Sequence, residues 1–327
     1  MNTFSIRNYK NLAIKELQGI SPSPELDVQV LLSHALKYNK TQLLLFAENH
    51  IPEDKLVWLN KAISLRKTGL PVAYITGVKE FYGYDFFVTP DVLIPKPDTE
   101  ILVEHAVELI VERIGSGAAA RPLAICDMCT GSGCIGIAVM KTLYAVEKVP
   151  AEKLPLLTMV DISEPALAIA KKNAAALLPD GEILQKITFI QSDLFGNVEG
   201  KFDFILTNPP YIPSKMVDEL LKDGRNEPRL ALDGDMALRQ AQGPHASGVA
   251  ELVEAPQNDG THLIKILLEQ SCEHLANNGT ILMETGEYNA QATADFAGGL
   301  GFTTQLHTDL EGQLRVVEMR LSGQARQ

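Results

Sequence analysis

The sequence predicts an α/β fold, in which a parallel sheet carries helices on both faces, preceded by a small helical bundle and a β-hairpin linker. Three observations support this prediction. Apolar residues recur at helical spacing in 1–70, the period changes to two in 71–97, and from Leu123 onward strand-like apolar runs alternate with helical segments. We therefore expect a helical domain at 1–70, a hairpin linker at 71–97 and an α/β domain at 98–327.

The helical domain is predicted from two segments that each carry one apolar stripe. The first spans 23–38 and opens with Ser-Pro-Glu, which is typical of a helix start because proline fits the first turn. The second spans 53–69 and ends at a glycine, with Pro71 beyond it. A helix with a single apolar stripe buries it against a neighbour, so the two segments predict a bundle.

The linker is predicted to be a hairpin because aromatic and β-branched residues dominate 71–95. Helical spacing resumes in 96–115, where Asp98 or Thr99 is the expected N-cap.

The α/β domain follows as an alternation of strands and helices. Strands are predicted at 123–128, 156–162, 187–193, 202–208, 280–285, 303–307 and 314–321. Helices are predicted at 134–146, 164–178 and 261–279. The stretch 236–257 is rich in small and polar residues and breaks this rhythm, so we expect it to be an exposed insertion, with a functional lid as the alternative.

Composition and net charge limit the classes of protein to which the chain can belong. With 46% hydrophobic and 21% charged residues, and with no apolar run of the roughly 18 residues that would span a bilayer, the chain is expected to be soluble and not bound to a membrane. The N-terminal segment lacks the apolar core of a signal peptide, which favours a cytoplasmic location. The net charge of −12 argues against stable binding to nucleic acid.

Three of the four cysteines cluster, as Cys126, Cys129 and Cys134, while Cys272 lies far along the chain. The Cys-x-x-Cys spacing would suit zinc or redox chemistry, but a zinc site needs a second ligand pair, and none is near. We expect reduced thiols that pack as small side chains, and no metal site.

The first candidate for ligand binding is the stretch "ICDMCTGSGCIG". A predicted strand ends at Asp127, and a tight loop then leads into a helix. Glycines let the backbone approach a ligand closely, and the helix N-terminus offers free N–H donors. A strand–helix turn without any ligand is the alternative for this stretch taken alone. The candidate ligand-binding residues are Asp127, Cys129, Thr130, Gly131, Ser132 and Gly133.

Acidic residues end the next two strands as well. Asp161 stands where a carboxylate can accept the two hydroxyls of a ribose, and Asp193 stands where it can accept an adenine amino group. Leu194 and Phe195 would supply an apolar wall. Together with Asp127, these strand-end acids favour an adenosine-bearing ligand.

The fourth strand leads into "NPPY", which comprises Asn208, Pro209, Pro210 and Tyr211. Proline removes an N–H donor and holds the residue before it extended. The Asn208 side-chain oxygen and the Pro209 carbonyl can accept both N–H bonds of an amide or aromatic amine and so aim its nitrogen lone pair. We expect Tyr211 to stack on that planar group; a generic proline-rich turn is the alternative.

With these motifs assembled, the chain resembles the class I S-adenosylmethionine-dependent methyltransferases of amino groups, and more narrowly the HemK/PrmC family of protein-(glutamine-N5) methyltransferases. The resemblance covers nearly the whole chain and is carried by "PVAYITG", "LIPKPDTE", "DMCTGSGCIGIA", "VDISEPALAIAKKNA", "SDLF", "NPPYIP", "EPRLALDGD" and "DLEGQLRVV". It implies a Rossmann-like sheet with a final antiparallel strand. It also implies S-adenosyl-L-methionine at Cys129–Gly133, Asp161 and Leu194, beside a substrate site at Asn208–Tyr211.

The resemblance further implies a substrate: the glutamine of the Gly-Gly-Gln motif in peptide chain release factors, with the helical domain helping to dock these partners. The sequence departs from the family at Cys129, where a glycine is usual, and we expect a negative φ there. It also departs at Lys96 and Asp98, where arginine and glutamate are usual, and by the insertion at 236–257.

Two other functions remain open at the level of sequence. The same chemistry on a nucleic-acid base, at adenine N6 or guanine N2, would use an identical NPPY motif, but it should come with a basic face. A non-catalytic translation-factor binding module would keep the fold without turnover. The presence of Asp161, Asp193 and Asn208 argues against that loss of activity.

Overall fold

The structure, a computed structural model, describes residues 4–117, 121–178, 181–235 and 259–321. The chain divides into two compact units, one formed by Met1–Val78 with Glu219–Asn226 and the other by Lys79–Asp218 with Glu227–Gln327. The insertion expected at 236–257 lies outside the described residues. Within the described ranges, no helix combines the length and the apolar character needed to span a membrane.

In residues 4–78, the first unit forms five α-helices: α1 (Ile6–Leu17), α2 (Pro24–Leu36), α3 (Lys40–Leu45), α4 (Glu53–Lys67) and α5 (Val72–Thr76). Its core is apolar and includes Leu17, Leu31 and Leu59, none of which is exposed. Helices α2 and α4 therefore pack in one bundle as predicted, although Leu26 and Val30, which were expected in the apolar stripe of α2, are exposed.

Helix α5 corrects the prediction that the hairpin begins at Pro71. Val72 and Ile75 pack against the helical core, and their spacing of three residues places them on one face of a helix. Gly77, at φ 72°, ends the turn in the left-handed conformation that glycine adopts freely. Packing of one face against the helical core, together with the glycine at the end of the turn, thus selects a helix here despite the preference of β-branched residues for strands.

The hairpin itself is shorter than predicted and comprises β1 (Val78–Phe81) and β2 (Tyr84–Phe87). Its two-residue turn, Tyr82 and Gly83, has φ values of 52° and 75°, and positive values at both positions match the twist of the flanking strands. Phe81 and Phe86 are fully buried in the core that lies on one face of the large sheet.

The second unit is built on a seven-stranded sheet. Its strands are β3 (Ala124–Met128), β4 (Leu156–Asp161), β5 (Ile187–Gln191), β6 (Phe202–Thr207), β7 (Leu275–Glu284), β8 (Phe302–Thr308) and β9 (Leu314–Leu321). The spatial order is β5-β4-β3-β6-β7-β9-β8, and β9 alone runs against its neighbours. The described helices are α6 (Glu100–Gly115), α7 (Cys134–Ala145), α8 (Glu164–Leu177), α9 (Gly181–Leu184), α10 (Ser214–Leu220, which crosses the boundary between the units), α11 (His262–His274) and α12 (Ala290–Gly299).

The sheet separates two apolar cores, as the predicted α/β fold requires. Along the fully buried strand β6, Phe204 and Leu206 belong to one core and Ile205 belongs to the other. Strand order reverses beside β3, with β4 on one side and β6 on the other. In open α/β sheets the carboxyl ends of strands at such a point form a crevice that binds ligands.

One predicted helix boundary is wrong and another is confirmed. The helix expected at 261–279 ends at His274, because the chain is then recruited as strand β7, with Leu275 paired to Phe202 of β6. The N-cap expected at Asp98 or Thr99 is confirmed, since α6 begins at Glu100, after a short 3₁₀ turn at Pro97–Thr99. Thr99 is its N-cap by position, but its side chain makes no capping hydrogen bond.

Candidate active site

A cavity of about 290 Å³ lies at the carboxyl ends of β3, β4, β5 and β6, close to the size of small-molecule sites. The loops that follow these four strands bring together most of the residues that the sequence singled out. The predicted residues that line the cavity are Cys129, Thr130, Gly131, Ser132, Asp161, Asp193, Leu194, Asn208 and Pro210. Within the part of the chain that is described, no cluster of three or more histidine, cysteine, aspartate or glutamate side chains is placed to hold a metal ion.

Five predicted site residues, namely Asp127, Gly133, Phe195, Pro209 and Tyr211, do not line the cavity. Asp127 is fully buried behind the loop. Its Oδ2 accepts a 2.6 Å hydrogen bond from the Thr130 hydroxyl and a 3.0 Å bond from the Gly136 backbone N–H. Asp127 therefore fastens the loop to α7, and burial raises the pKa of its carboxyl to about 7.

Gly133 shapes the loop through its lack of a side chain. It sits at φ 81°, and a Cβ there would lie 2.7 Å from Ile137 Cδ1 and 2.8 Å from Met159 Cε. A larger residue would have to displace the tips of these two side chains and would be strained at this positive φ. On the other side of the loop, the buried amide of Asn173 donates to the Ser132 carbonyl at 2.8 Å and to the Phe87 carbonyl at 3.0 Å, which ties the loop to the hairpin.

Two cavity residues other than glycine have left-handed backbones. Cys129 lies at φ 59° and Leu194 at φ 46°. The prediction of a negative φ at Cys129 is therefore wrong. The turn is imposed from outside the residue, because the next N–H, on Thr130, donates to the Val160 carbonyl at the end of β4 (2.9 Å). Such a backbone costs about 1–2 kcal/mol for an L-residue, and strain of this kind concentrates at functional sites.

Asp161 has the environment that a ribose-binding carboxylate needs. One oxygen accepts the Gly131 N–H at 2.8 Å and the other accepts the Ser163 N–H at 2.9 Å. Each carboxylate oxygen can accept two hydrogen bonds, so one acceptor position remains on each for a pair of ligand hydroxyls. Burial raises the pKa of Asp161, and the backbone N–H groups oppose this shift. Asp193 is exposed at the cavity wall, where its contact with adenine stays a prediction.

Asn208 lines the cavity and is oriented by its neighbour Thr99. Its Nδ2 donates to the Thr99 hydroxyl at 3.3 Å, and its Oδ1 has no hydrogen-bond partner among the described residues. The side-chain oxygen is therefore the end of the amide that remains available to a ligand. Pro209 and Pro210 are buried and hold the chain rigid beyond it.

The stacking role predicted for Tyr211 stays a prediction, and what the structure shows is how this residue is held. Its hydroxyl donates to Glu284 Oε1 at 3.2 Å, and burial raises its pKa. Its backbone carbonyl accepts hydrogen bonds from Asn289 Nδ2 at 3.1 Å and from the Tyr288 hydroxyl at 3.3 Å. These contacts make Tyr211 an anchor for the NPPY segment.

Sequence reasoning missed three residues at this site. Glu284 is a fourth acid at the end of a strand, so the rule that found the other acids would have found it in "TILMET". Thr99 was assigned to a helix cap, although its hydroxyl serves Asn208. Asn173 was missed because a polar residue within a helical repeat looks like an exposed position, whereas it is fully buried.

Ion pairs connect the motifs that surround the site. Lys96, at the cavity wall, pairs with buried Glu227 at 2.6 Å. Arg315 on β9 pairs with Asp98 at 3.1 Å and with Asp309 at 2.9 Å. Ion pairs therefore connect the stretches "LIPKPDTE", "EPRLALDGD" and "DLEGQLRVV". The sequence does not predict these contacts, because the stretches are far apart along the chain.

The sheet with its one antiparallel strand, the glycine loop after β3, the strand-end acids and the NPPY segment define a class I S-adenosylmethionine-dependent methyltransferase. Comparisons with known proteins agree. Residues 10–77 match the PrmC N-terminal domain family, and residues 102–238 match the methyltransferase small domain family.

Relatives cover most of the chain. A release factor glutamine methyltransferase of Rhodopirellula baltica is 33% identical over 92% of this chain and 90% of its own length. One from Escherichia coli is 31% identical over 86% of this chain and 85% of its own. A solved ribosomal protein L11 methylase from Lactobacillus delbrueckii subsp. bulgaricus is 18% identical, with a TM-score of 0.42 over 72% of this chain and 84% of that one. The chain belongs to the release factor glutamine methyltransferase family, and its cofactor is S-adenosyl-L-methionine.

Proposed function

We propose that this enzyme methylates the side-chain amide nitrogen, N5, of the glutamine in the Gly-Gly-Gln motif of peptide chain release factors. The family supports a glutamine of release factors as the substrate, because the relatives from Rhodopirellula baltica and Escherichia coli are named release factor glutamine methyltransferases. S-adenosylmethionine, when bound, supplies an electrophilic methyl group. The residues that would hold it are Cys129–Gly133, Asp161, Asp193 and Leu194.

The observation that carries the proposal is the orientation of Asn208. Because its Nδ2 is engaged by Thr99, its Oδ1 is left to accept an N–H from the substrate amide. The nitrogen of an amide is a weak nucleophile because its lone pair is delocalised into the carbonyl. Holding its N–H groups between Asn208 Oδ1 and the Pro209 carbonyl directs that lone pair toward the methyl group, so orientation replaces a strong base.

A transfer assay with labelled S-adenosylmethionine tests this function. It would offer a bacterial release factor, its variant with alanine in place of the motif glutamine, bulk RNA and bulk DNA side by side. We expect label on the wild-type release factor alone. Label on nucleic acid would instead assign the enzyme to base amino methylation, and cofactor binding without any transfer would indicate a binding module.

We also propose that the helical domain predicted at 1–70 docks the release factor. Leu44 and Leu45, at the end of α3, are adjacent large apolar residues that are 67% and 73% exposed, and exposed apolar side chains of this kind mark contact surfaces.

Replacing both leucines with lysine should raise the KM for release factor by about tenfold, the effect of losing roughly 1.4 kcal/mol of binding, with kcat and cofactor affinity unchanged. Val146→Lys is the matched control, because Val146 is 60% exposed at the end of α7 remote from the glycine loop. An unchanged KM in the double variant would contradict the docking role.

A further inference from the structure

Lys96 is a basic side chain in a cavity whose other charged side chains are acidic. Of the described residues that line the cavity, those with charged side chains are Lys96 and the acids Asp91, Asp161, Asp193 and Asp233. S-adenosylmethionine carries two positive groups, the sulfonium and the α-ammonium, and one negative group, the α-carboxylate. Acidic side chains attract the first two and repel the third, so the carboxylate needs a positive partner of its own.

The glycine loop offers few free donors to such a carboxylate. Three of the five backbone N–H groups in Cys129–Gly133 donate within the protein, namely those of Thr130 to the Val160 carbonyl, Gly131 to Asp161 and Gly133 to the Thr130 carbonyl. In the first turn of α7, the Gly136 N–H donates to Asp127. The N–H groups that usually bind an anion at the start of a helix are therefore largely engaged, which favours a side-chain cation as the partner of the carboxylate.

The Lys96 ammonium has hydrogens available for a ligand. Its Nζ donates to Glu227 Oε1 at 2.6 Å, and Glu227, whose side chain is 4% exposed, does not line the cavity. The Lys96 side chain is 40% exposed and does line it. An ammonium has three N–H bonds, and Glu227 is the one hydrogen-bond partner that the described residues give it, so two remain for a ligand.

The position of Lys96 also suits the amino-acid end of the cofactor. Thr99, three residues later on the same segment, accepts a hydrogen bond from Asn208 at 3.3 Å, and both of these residues line the cavity. The segment that carries Lys96 therefore borders the side chain proposed to hold the methyl acceptor. In S-adenosylmethionine the transferable methyl group and the amino-acid part are bonded to the same sulfur atom, whereas the ribose, proposed to bind Asp161, belongs to a different substituent of that sulfur.

We propose that Lys96 binds the α-carboxylate of S-adenosylmethionine through a charge-assisted hydrogen bond, and that Glu227 holds the Lys96 ammonium in place. Lys96 thereby selects cofactors that carry this carboxylate. The inference rests on the proposed cofactor site and does not depend on the proposed methyl acceptor.

Binding calorimetry with S-adenosylmethionine and decarboxylated S-adenosylmethionine tests this inference, because the two ligands differ only in the carboxylate. For the wild-type protein, we expect the Kd to be about 10- to 100-fold higher for the decarboxylated ligand, the range for one charge-assisted hydrogen bond. Lys96→Met keeps the length of the side chain without its charge. It should raise the Kd for S-adenosylmethionine by a similar factor and leave that for the decarboxylated ligand within about twofold, so that the preference disappears.

Three further variants separate carboxylate binding from a structural effect. Lys96→Arg keeps the positive charge and should keep the preference for S-adenosylmethionine. Lys96→Met/Glu227→Gln also removes the buried charge beside Lys96, which guards against misfolding, and it should lose the preference as Lys96→Met does. Arg121→Met is the matched control, since Arg121 pairs with the largely buried Asp203 at 2.8 Å and does not line the cavity, so this variant should bind both ligands as wild type does.

The inference is overturned if Lys96→Met still prefers S-adenosylmethionine, or if the wild-type protein binds both ligands alike. It is also overturned if Lys96→Met and the double variant weaken both ligands equally, which would mean that Lys96 only supports the local structure. Failure of the proposed function looks different, because label on nucleic acid in the transfer assay would leave these Kd values unchanged.

Discussion

The two walls of the cavity are built in different ways. The wall that we propose for the cofactor, called the cofactor wall, comprises Cys129–Gly133, Asp161 and Leu194 and depends on backbone conformation: left-handed residues and main-chain N–H groups give it its shape. The wall that we propose for the methyl acceptor, called the acceptor wall, depends on side chains beside a rigid, proline-fixed segment: Thr99 orients Asn208, and Glu284 accepts from Tyr211. Substitutions that remove a polar group should therefore impair the acceptor wall most. Substitutions that disfavour the observed backbone conformation should impair the cofactor wall most.

The largest effect is expected at the acceptor wall, from Asn208→Ala. Loss of the oxygen that orients the acceptor should lower kcat about 10²- to 10³-fold, the range seen when one preorganised polar group is removed from an active site. Cofactor affinity should be largely preserved, because Cys129–Gly133 and Asp161 stay intact. Single-turnover transfer and calorimetric binding would measure the two quantities. A variant that kept a third or more of the wild-type kcat would refute the assigned acceptor site.

The next largest effect is expected from Asp127→Asn, because Asp127 fastens the loop of the cofactor wall to α7. The carboxyl of Asp127 titrates at 3.8 in an unperturbed chain and at about 7 in the folded protein. Between these values the folded state holds the extra proton, so Asp127 makes the wild-type protein less stable as pH rises from about 4 to about 7. The variant has no such group, and its free energy of unfolding relative to wild type should rise across this window, by on the order of 4 kcal/mol.

Urea unfolding of both proteins at several pH values would measure this difference. Glu284 titrates in the same range in both proteins, so its contribution cancels in the comparison. A pH-independent difference would mean that Asp127 is already ionised in the folded state.

The sequence predicted the cofactor wall more completely than the acceptor wall, and the reason is physical. Strand ends and turn residues are local signals, so Asp161, Asp193 and the glycine loop could be found from spacing alone. The hydrogen bond that orients Asn208 joins it to Thr99, 109 residues away in sequence. A threonine before a helix carries a local signal that indicates a helix cap instead. Contacts of that range leave no trace in periodicity.

Backbone strain was also beyond the sequence. Whether Cys129 is left-handed is decided by the bond from the Thr130 N–H to Val160 on the neighbouring strand, and a single sequence does not reveal that pairing. The helical turn at Val72–Thr76 was missed for a related reason, because Val72 and Ile75 become neighbours only when they face the helical core. In both places tertiary contacts select the local conformation.

The smallest predicted effect follows from that strain and tests the cofactor wall directly. Cys129→Val places a β-branched residue at φ 59°, where its side chain is disfavoured, and should destabilise the loop by about 1–2 kcal/mol. Because the loop shapes the cofactor side, we expect the Kd for S-adenosylmethionine to rise several-fold while kcat at saturating cofactor changes little. Cys129→Gly is the matched control: it also removes the thiol, but glycine adopts this φ freely, so it should bind cofactor as wild type does. An equal loss of cofactor affinity in both variants would mean that the thiol itself contributes to binding. A loss in Cys129→Val alone would mean that this wall requires the left-handed backbone conformation.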